Sequence, residues 1–331
     1  YEESLADLNK SLKINRNSRW TLCIRGATYC MLERYEESFA DLNKVLEVAP
    51  NHANALKYRS NTYRMLRRYE ESLVDLNKLL EIEPNNAETL RIRGDICFKL
   101  TKYEESLADL NKSLKVEPNN AEALRIRGEI YFQLKKYEES LADLNKSLEI
   151  KPNNAEALKS RGKIYSMLKR YEESLINLNK SLEIEPNNAE TLKIRGETYF
   201  RLNKYEESLA DLNESLKINP NKISTLSRRG ATSHMMNRYE EYLADLNKLL
   251  KIFQDMIRES KHGGKTYHIV REYEDLMEYL NESLSIEPND KFALKNRGAI
   301  HHIMGRYKES LIDLNKLLET DNYRMDLLQY R

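Results

Sequence analysis

A tyrosine recurs ten times in this 331-residue chain at a fixed spacing of 34 residues: Tyr1, Tyr35, Tyr69, Tyr103, Tyr137, Tyr171, Tyr205, Tyr239, Tyr273 and Tyr307. A period of that length is the signature of a repeat array, and it decides the fold class before any local reading. All seven prolines fall at one phase (Pro50, Pro84, Pro118, Pro152, Pro186, Pro220 and Pro288). Eight of the ten glycines fall at another: Gly26, Gly94, Gly128, Gly162, Gly196, Gly230, Gly264 and Gly298. Each phase therefore has a structural job.

One clean unit runs from Ala121 to Asn154, and positions are counted here from Ala121 as 1. Leu124, Gly128, Tyr131 and Leu134 follow helical spacing, which predicts a helix A over positions 1 to about 14. Leu141, Leu144, Leu148 and Ile150 form a second apolar stripe, helix B, starting at Tyr137 and stopped by Pro152. Asn154 suits the N-cap of the next helix A, with Glu156 near its positive end. Gly128 lets the two helices approach, and Ser140, Ala142 and Ser147 are expected to keep the facing surfaces small. A hairpin this small cannot bury its own apolar face and must stack on its neighbours.

Leu124, Gly128, Tyr131, Ser140, Leu144, Ser147 and Pro152 together resemble the tetratricopeptide repeat (TPR) family, whose units share the 34-residue length. The resemblance covers essentially the whole chain. It implies an all-α fold, a right-handed α-solenoid superhelix of stacked helix A/helix B hairpins. Two features depart from the commonest form: Ser replaces Ala at two helix-B sites, and Arg127 stands where an apolar residue is frequent. On this register residues 1–18 are an orphan helix B, residues 19–324 hold nine units, and residues 325–331 start a further helix A. A chain cut in mid-repeat is expected to come from a longer array and to self-associate end to end. The unit 257–290 is degenerate, with Ser260 and Gly263 at signature positions and Gln254-Asp255-Met256 in place of the Pro-Asn-Asn turn. There helix B is predicted to run from Tyr239 to about Lys261, break at Gly263-Gly264 and restart near Lys265.

The 54 basic and 53 acidic residues leave a net charge of +1, which argues against a nucleic-acid role. No stretch approaches the roughly 18 apolar residues of a membrane span. Cys23 and Cys30 are seven residues apart on one helix, about 10 Å by helical rise and too far for a disulfide. With only three cysteines in all, a reducing, cytoplasmic compartment is expected. Asn-Lys-Ser at Asn9, Asn111, Asn145 and Asn179 matches a glycosylation acceptor but falls in mid-helix. The run Gly263–Thr266 lacks the first glycine of a phosphate loop, where Glu259 stands, and the strand before it. His234, His268 and His302 share one phase without neighbouring acidic or thiol ligands, so neither a metal nor a cofactor is expected. No catalytic constellation is recognisable, and the chain reads as non-enzymatic.

Arg at position 7 (Arg25, Arg59, Arg93, Arg127, Arg161, Arg195, Arg229, Arg297) recurs with an acid at position 23 (Asp41, Asp75, Asp109, Asp143, Asp211, Asp245, Asp313). Arg on a partly apolar face is rarely unpaired, so this is read as a structural ion pair between helices A and B, broken once at Asn177.

The resemblance places helix A on a concave wall lined by positions 2, 5, 9 and 12, and variation against a constant scaffold is where specificity should lie. Position 5 is basic at Lys57, Arg91, Arg125, Lys159, Lys193 and Lys295; position 9 is acidic at Asp95, Glu129 and Glu197. These are i, i+4 neighbours and should neutralise one another. Position 12 brings Phe98, Phe132 and Phe200, and Trp20 sits at position 2 of the first full unit. Exposed aromatics beside Arg are a hot-spot composition. The candidate peptide-binding set is therefore Trp20, Lys57, Asn61, Arg91, Asp95, Phe98, Arg125, Glu129, Phe132, Lys159, Lys193 and Phe200. Lys57 and Asn61 match the first pair of the family's clamp for chaperone C-termini, but Ile92, Glu122 and Ile126 replace its other members, so that ligand is not expected. The expected function is a scaffold or adaptor that binds a protein or peptide. The alternatives are a regulatory or targeting segment of a larger protein with its catalytic domain elsewhere, and a structural spacer.

Overall fold

A computed structural model describes residues 1–238 continuously, short stretches between 240 and 285, and residues 288–303 and 306–320. Among the described residues every regular element is an α-helix. The A helices are α2 (Arg19–Met31), α4 (Ala53–Met65), α6 (Ala87–Lys99), α8 (Ala121–Gln133), α10 (Ala155–Met167), α12 (Ala189–Arg201), α14 (Ile223–Met235) and α15 (Lys291–Ile303). The B helices are α1 (Glu2–Ile14), α3 (Tyr35–Val48), α5 (Tyr69–Ile82), α7 (Tyr103–Val116), α9 (Tyr137–Ile150), α11 (Tyr171–Ile184), α13 (Tyr205–Ile218) and α16 (Tyr307–Thr320). The chain divides into two units, Tyr1–Ser160 and Arg161–Arg331, with the division inside α10. Each unit is a stack of A/B hairpins, the arrangement of an all-α solenoid.

The helix ends follow from the turn residues. Helix α9 ends at Ile150, two residues before the proline, because Lys151 is held extended at φ −127, ψ 83. Pro152 excludes the α region from the residue before it, so the stop lies upstream of the proline itself. At the other end Asn154 Oδ1 accepts the Ala157 N–H at 3.1 Å, the expected N-cap. Ser18 and His52 fill that place for α2 and α4. The A-to-B turn has a feature with no sequence signal. Position 15 adopts positive φ in all seven described copies from Glu33 to Asn237, near 59°, and only two of these, Asn203 and Asn237, are residue types that tolerate it. The conformation lets the N–H three residues past the helix, as in Lys136, return to the Tyr131 carbonyl at 2.8 Å.

Gly128 is where the hairpin closes. A Cβ there would meet Leu144 Cγ at 3.0 Å and the Ser140 carbonyl at 3.2 Å. The serines facing it do more than stay small: Ser140 Oγ donates to the Gly128 carbonyl at 2.6 Å, and Ser147 Oγ to the Ala121 carbonyl at 2.8 Å. Ala142 does not share that role; it lies on the exposed face of α9. Leu124, Ile126, Ile130 and Leu144 are buried in the core between the helices. Where residues between 240 and 252 are described they are helical. The run-on to Lys261, the break at Gly263-Gly264, the restart near Lys265 and the segment 325–331 lie outside the described residues.

Candidate binding wall

The arginine ladder fixes the register of the stack. Arg127 Nε and Nη2 donate to the two oxygens of Asp143 at 2.7 and 2.8 Å, and its Nη1 donates to Asn111 Oδ1, in the preceding hairpin, at 2.7 Å. The same three-point contact recurs at Arg25, Arg59, Arg93, Arg195, Arg229 and Arg297. Each arginine thus joins its own helix B to the helix B before it. The bond to Asp143 raises the Arg127 guanidinium above its ordinary pKa against the opposing cost of burial. The ladder is spent on structure and is not a ligand surface. The position-25 asparagine that receives the third bond was not singled out by the sequence; its recurrence one repeat before each arginine was the available signal. At Arg161 the partner is Asn177 Oδ1, at 2.8 Å, and burial lowers the arginine's pKa.

Successive A helices lie side by side, α2 on α4, α6 on α8 and α12 on α14. Their contacts recur 31 residues apart: Lys57 Nζ meets Glu88 at 2.7 Å, Asn61 Nδ2 reaches Cys30 Sγ at 3.8 Å, and Ser160 Oγ donates to Glu129 at 2.9 Å. This register brings positions 2, 5, 9 and 12 onto one face, as expected, but uses their charges differently. Arg125 Nη1 bonds Glu129 at 2.7 Å while its Nε and Nη2 hold Glu122 at 3.0 and 2.5 Å. Burial opposes the charged form of Arg125, and the two glutamates more than offset it, raising its pKa. Burial likewise pushes the Glu122 carboxyl up, but Arg125, with Arg91 further off, holds it below the usual range. Lys159 pairs with Glu156 at 2.5 Å, and Lys193 with Glu190 and Glu197 at 3.4 and 3.7 Å. The expected i, i+4 pairing therefore holds at Arg125–Glu129 and Lys193–Glu197. It fails at Arg91, because Asp95 turns to Lys99 at 2.8 Å. The position-2 glutamate, one turn earlier on the same face, is the partner that sequence reasoning missed.

The phenylalanines are half-buried rather than free. Phe98 packs on Tyr103 at a centroid distance of 6.1 Å, Phe132 on Tyr137 at 6.0 Å and Phe200 on Tyr205 at 5.6 Å. Arg228 also lies over the Phe200 ring at 4.9 Å. Among the named wall residues Trp20 is the open aromatic, 67% exposed. Its helix carries Cys23, Ala27 and Cys30 at the remaining wall positions, and burial pushes the Cys23 thiol up to about 11. His234 is buried, edge-on to Tyr242 at 5.1 Å; His302 lies near the end of α15, and His268 lies outside the described residues.

No described helix is long and apolar enough to cross a membrane. Residues 94–134 and 128–169 match a family model described as TPR repeat, and residues 155–188 and 189–222 match models described as Tetratricopeptide repeat. No curated protein is significantly similar to the chain in sequence. Among solved structures, a tetratricopeptide repeat protein from Parabacteroides merdae is 20% identical with a TM-score of 0.59, over 78% of this chain and 99% of its own. Pseudomonas aeruginosa pilF is 16% identical with a TM-score of 0.58, over 66% of this chain and 97% of its own. PilW, a type IV pilus biogenesis factor, is 18% identical with a TM-score of 0.56, over 61% and 94%. These likenesses show the fold. Residues 94–222 are a run of tetratricopeptide repeats.

Proposed function

We propose that the chain is a non-enzymatic scaffold that binds a protein or peptide segment along the wall of its A helices. The supporting observation is the division of labour within each repeat. The arginine ladder, the glycine contact and the leucine core recur from hairpin to hairpin with isolated exceptions, Asn177 in the ladder and Ser60 at the glycine, while positions 2, 5, 9 and 12 change throughout and share one face. Such a constant frame presenting a variable face fits recognition. The three cysteines are free and buried, in keeping with the cytoplasmic setting expected from their scarcity. A regulatory or targeting segment of a larger protein would use the same wall. The test is hydrogen exchange of the full chain with and without a peptide selected on it. Protection should gather on α2, α4, α6 and α8. Protection confined to the outer face of the B helices would remove the wall from the account.

A further inference from the structure

The partner's chemistry can be narrowed from what the wall has already used. Within residues Tyr1–Ser160 most of its charged groups are engaged with one another. Lys57 is taken by Glu88, Asp95 by Lys99, and Arg125 by Glu122 and Glu129, the last also receiving Ser160 Oγ. An incoming carboxylate competes with both glutamates for Arg125, and an incoming ammonium competes with Arg125 and Ser160 for Glu129. Either exchange trades an existing charge-assisted bond for a new one and gains little. Arg91 has no such bond. It lies near enough to Glu122 to influence its carboxyl, and its free donors suit a peptide carbonyl as well as a carboxylate.

The aromatic faces are the part of the wall left with binding capacity. Phe98/Tyr103 and Phe132/Tyr137 repeat one ring pair in two successive hairpins, at 6.1 and 6.0 Å, and all four rings keep part of their surface open. Toward the N-terminus the wall loses its charge: α2 offers Trp20 and part of Ala27, with Cys23 and Cys30 buried beside them. A row of open rings at repeat spacing suits an extended chain whose side chains fall on it in turn.

We infer that this wall takes an extended peptide segment carrying aromatic or aliphatic side chains and little net charge. The inference rests on the proposed use of the wall and names the class of partner. It is tested by panning the full chain with a displayed random library of peptides about twelve residues long, followed by affinity measurements on the enriched peptides. Enrichment in aromatic and aliphatic residues is expected, with affinity changing by less than about twofold between about 0.05 and 0.5 M salt. The double variant Phe98→Ala/Phe132→Ala should lose about tenfold or more. Phe98→Leu/Phe132→Leu keeps the packing volume and should also weaken binding, which separates ring recognition from a damaged fold. Enrichment of strongly charged peptides, whose affinity falls about tenfold with salt and with Arg91→Ala, would overturn the inference and leave the wall as the site. Selected peptides indifferent to every one of these variants would overturn the wall reading itself, as would no enrichment above an unrelated helical-repeat protein.

Discussion

Helices α2 and α8 hold the same place in two hairpins of the first unit, and they agree wherever the fold needs them to. Leu22 and Leu124 are buried, Gly26 and Gly128 meet Leu42 and Leu144, and Arg25 and Arg127 make the same three-point contact. They disagree at all four wall positions. Trp20, Cys23, Ala27 and Cys30 on α2 stand against Glu122, Arg125, Glu129 and Phe132 on α8. One wall is uncharged with an open indole; the other is a closed network of charge beside a half-buried ring. A repeat can therefore rewrite the face it shows while keeping the contacts that stack it. The charges on α8 also show how a rewritten face stays compatible with the fold: they are paired on their own helix.

The comparison breaks first at the frame. Arg127→Ala strands the nearly buried Asp143 carboxylate and cuts the link to Asn111. Losing one partner of a buried pair costs about 3–5 kcal/mol, to be read from urea unfolding. A change under about 1 kcal/mol would mean that the ladder behaves as a surface ion pair. A smaller loss is expected at the hairpin contact. A Cβ on Gly26 would fall 2.7 Å from Leu42 Cγ, so Gly26→Ala should cost about 1–3 kcal/mol by overpacking. Gly128→Ala, with 3.0 Å available, should cost less; the reverse order would show that these distances do not govern the site. The smallest effect is a gain. Lys135 sits at φ 59, and Lys135→Gly should stabilise the chain by about 1 kcal/mol by relieving Cβ crowding. A loss of stability there would mean that the lysine contributes more than its backbone strain costs.

The period, the helix phases, the Asn154 cap, the Arg–Asp pairing and the face shared by positions 2, 5, 9 and 12 were legible in the sequence. Each is a one-dimensional pattern with a single geometric reading. Three features were not. The left-handed residue at position 15 is imposed by the return bond from position 16, and Glu33, Arg67 and Lys135 carry no mark of it. The choice of Glu122 alongside Glu129 by Arg125 depends on rotamers in a crowded wall, where i−3 and i+4 partners are equally close in sequence terms. The burial of Phe98 and Phe132 depends on Tyr103 and Tyr137, whose recurrence explained the period but not their packing.

The separation of frame from wall is tested most directly by transplanting the α2 wall onto α8. The fourfold variant Glu122→Trp, Arg125→Cys, Glu129→Ala, Phe132→Cys removes every member of the charge network together and leaves Leu124, Arg127 and Gly128 in place. Its unfolding free energy, measured beside Arg127→Ala, should fall by no more than about 1–2 kcal/mol, clearly less than for the single frame substitution. A loss equal to or greater than that of Arg127→Ala would contradict the account, because the wall would then be holding the fold rather than being carried by it.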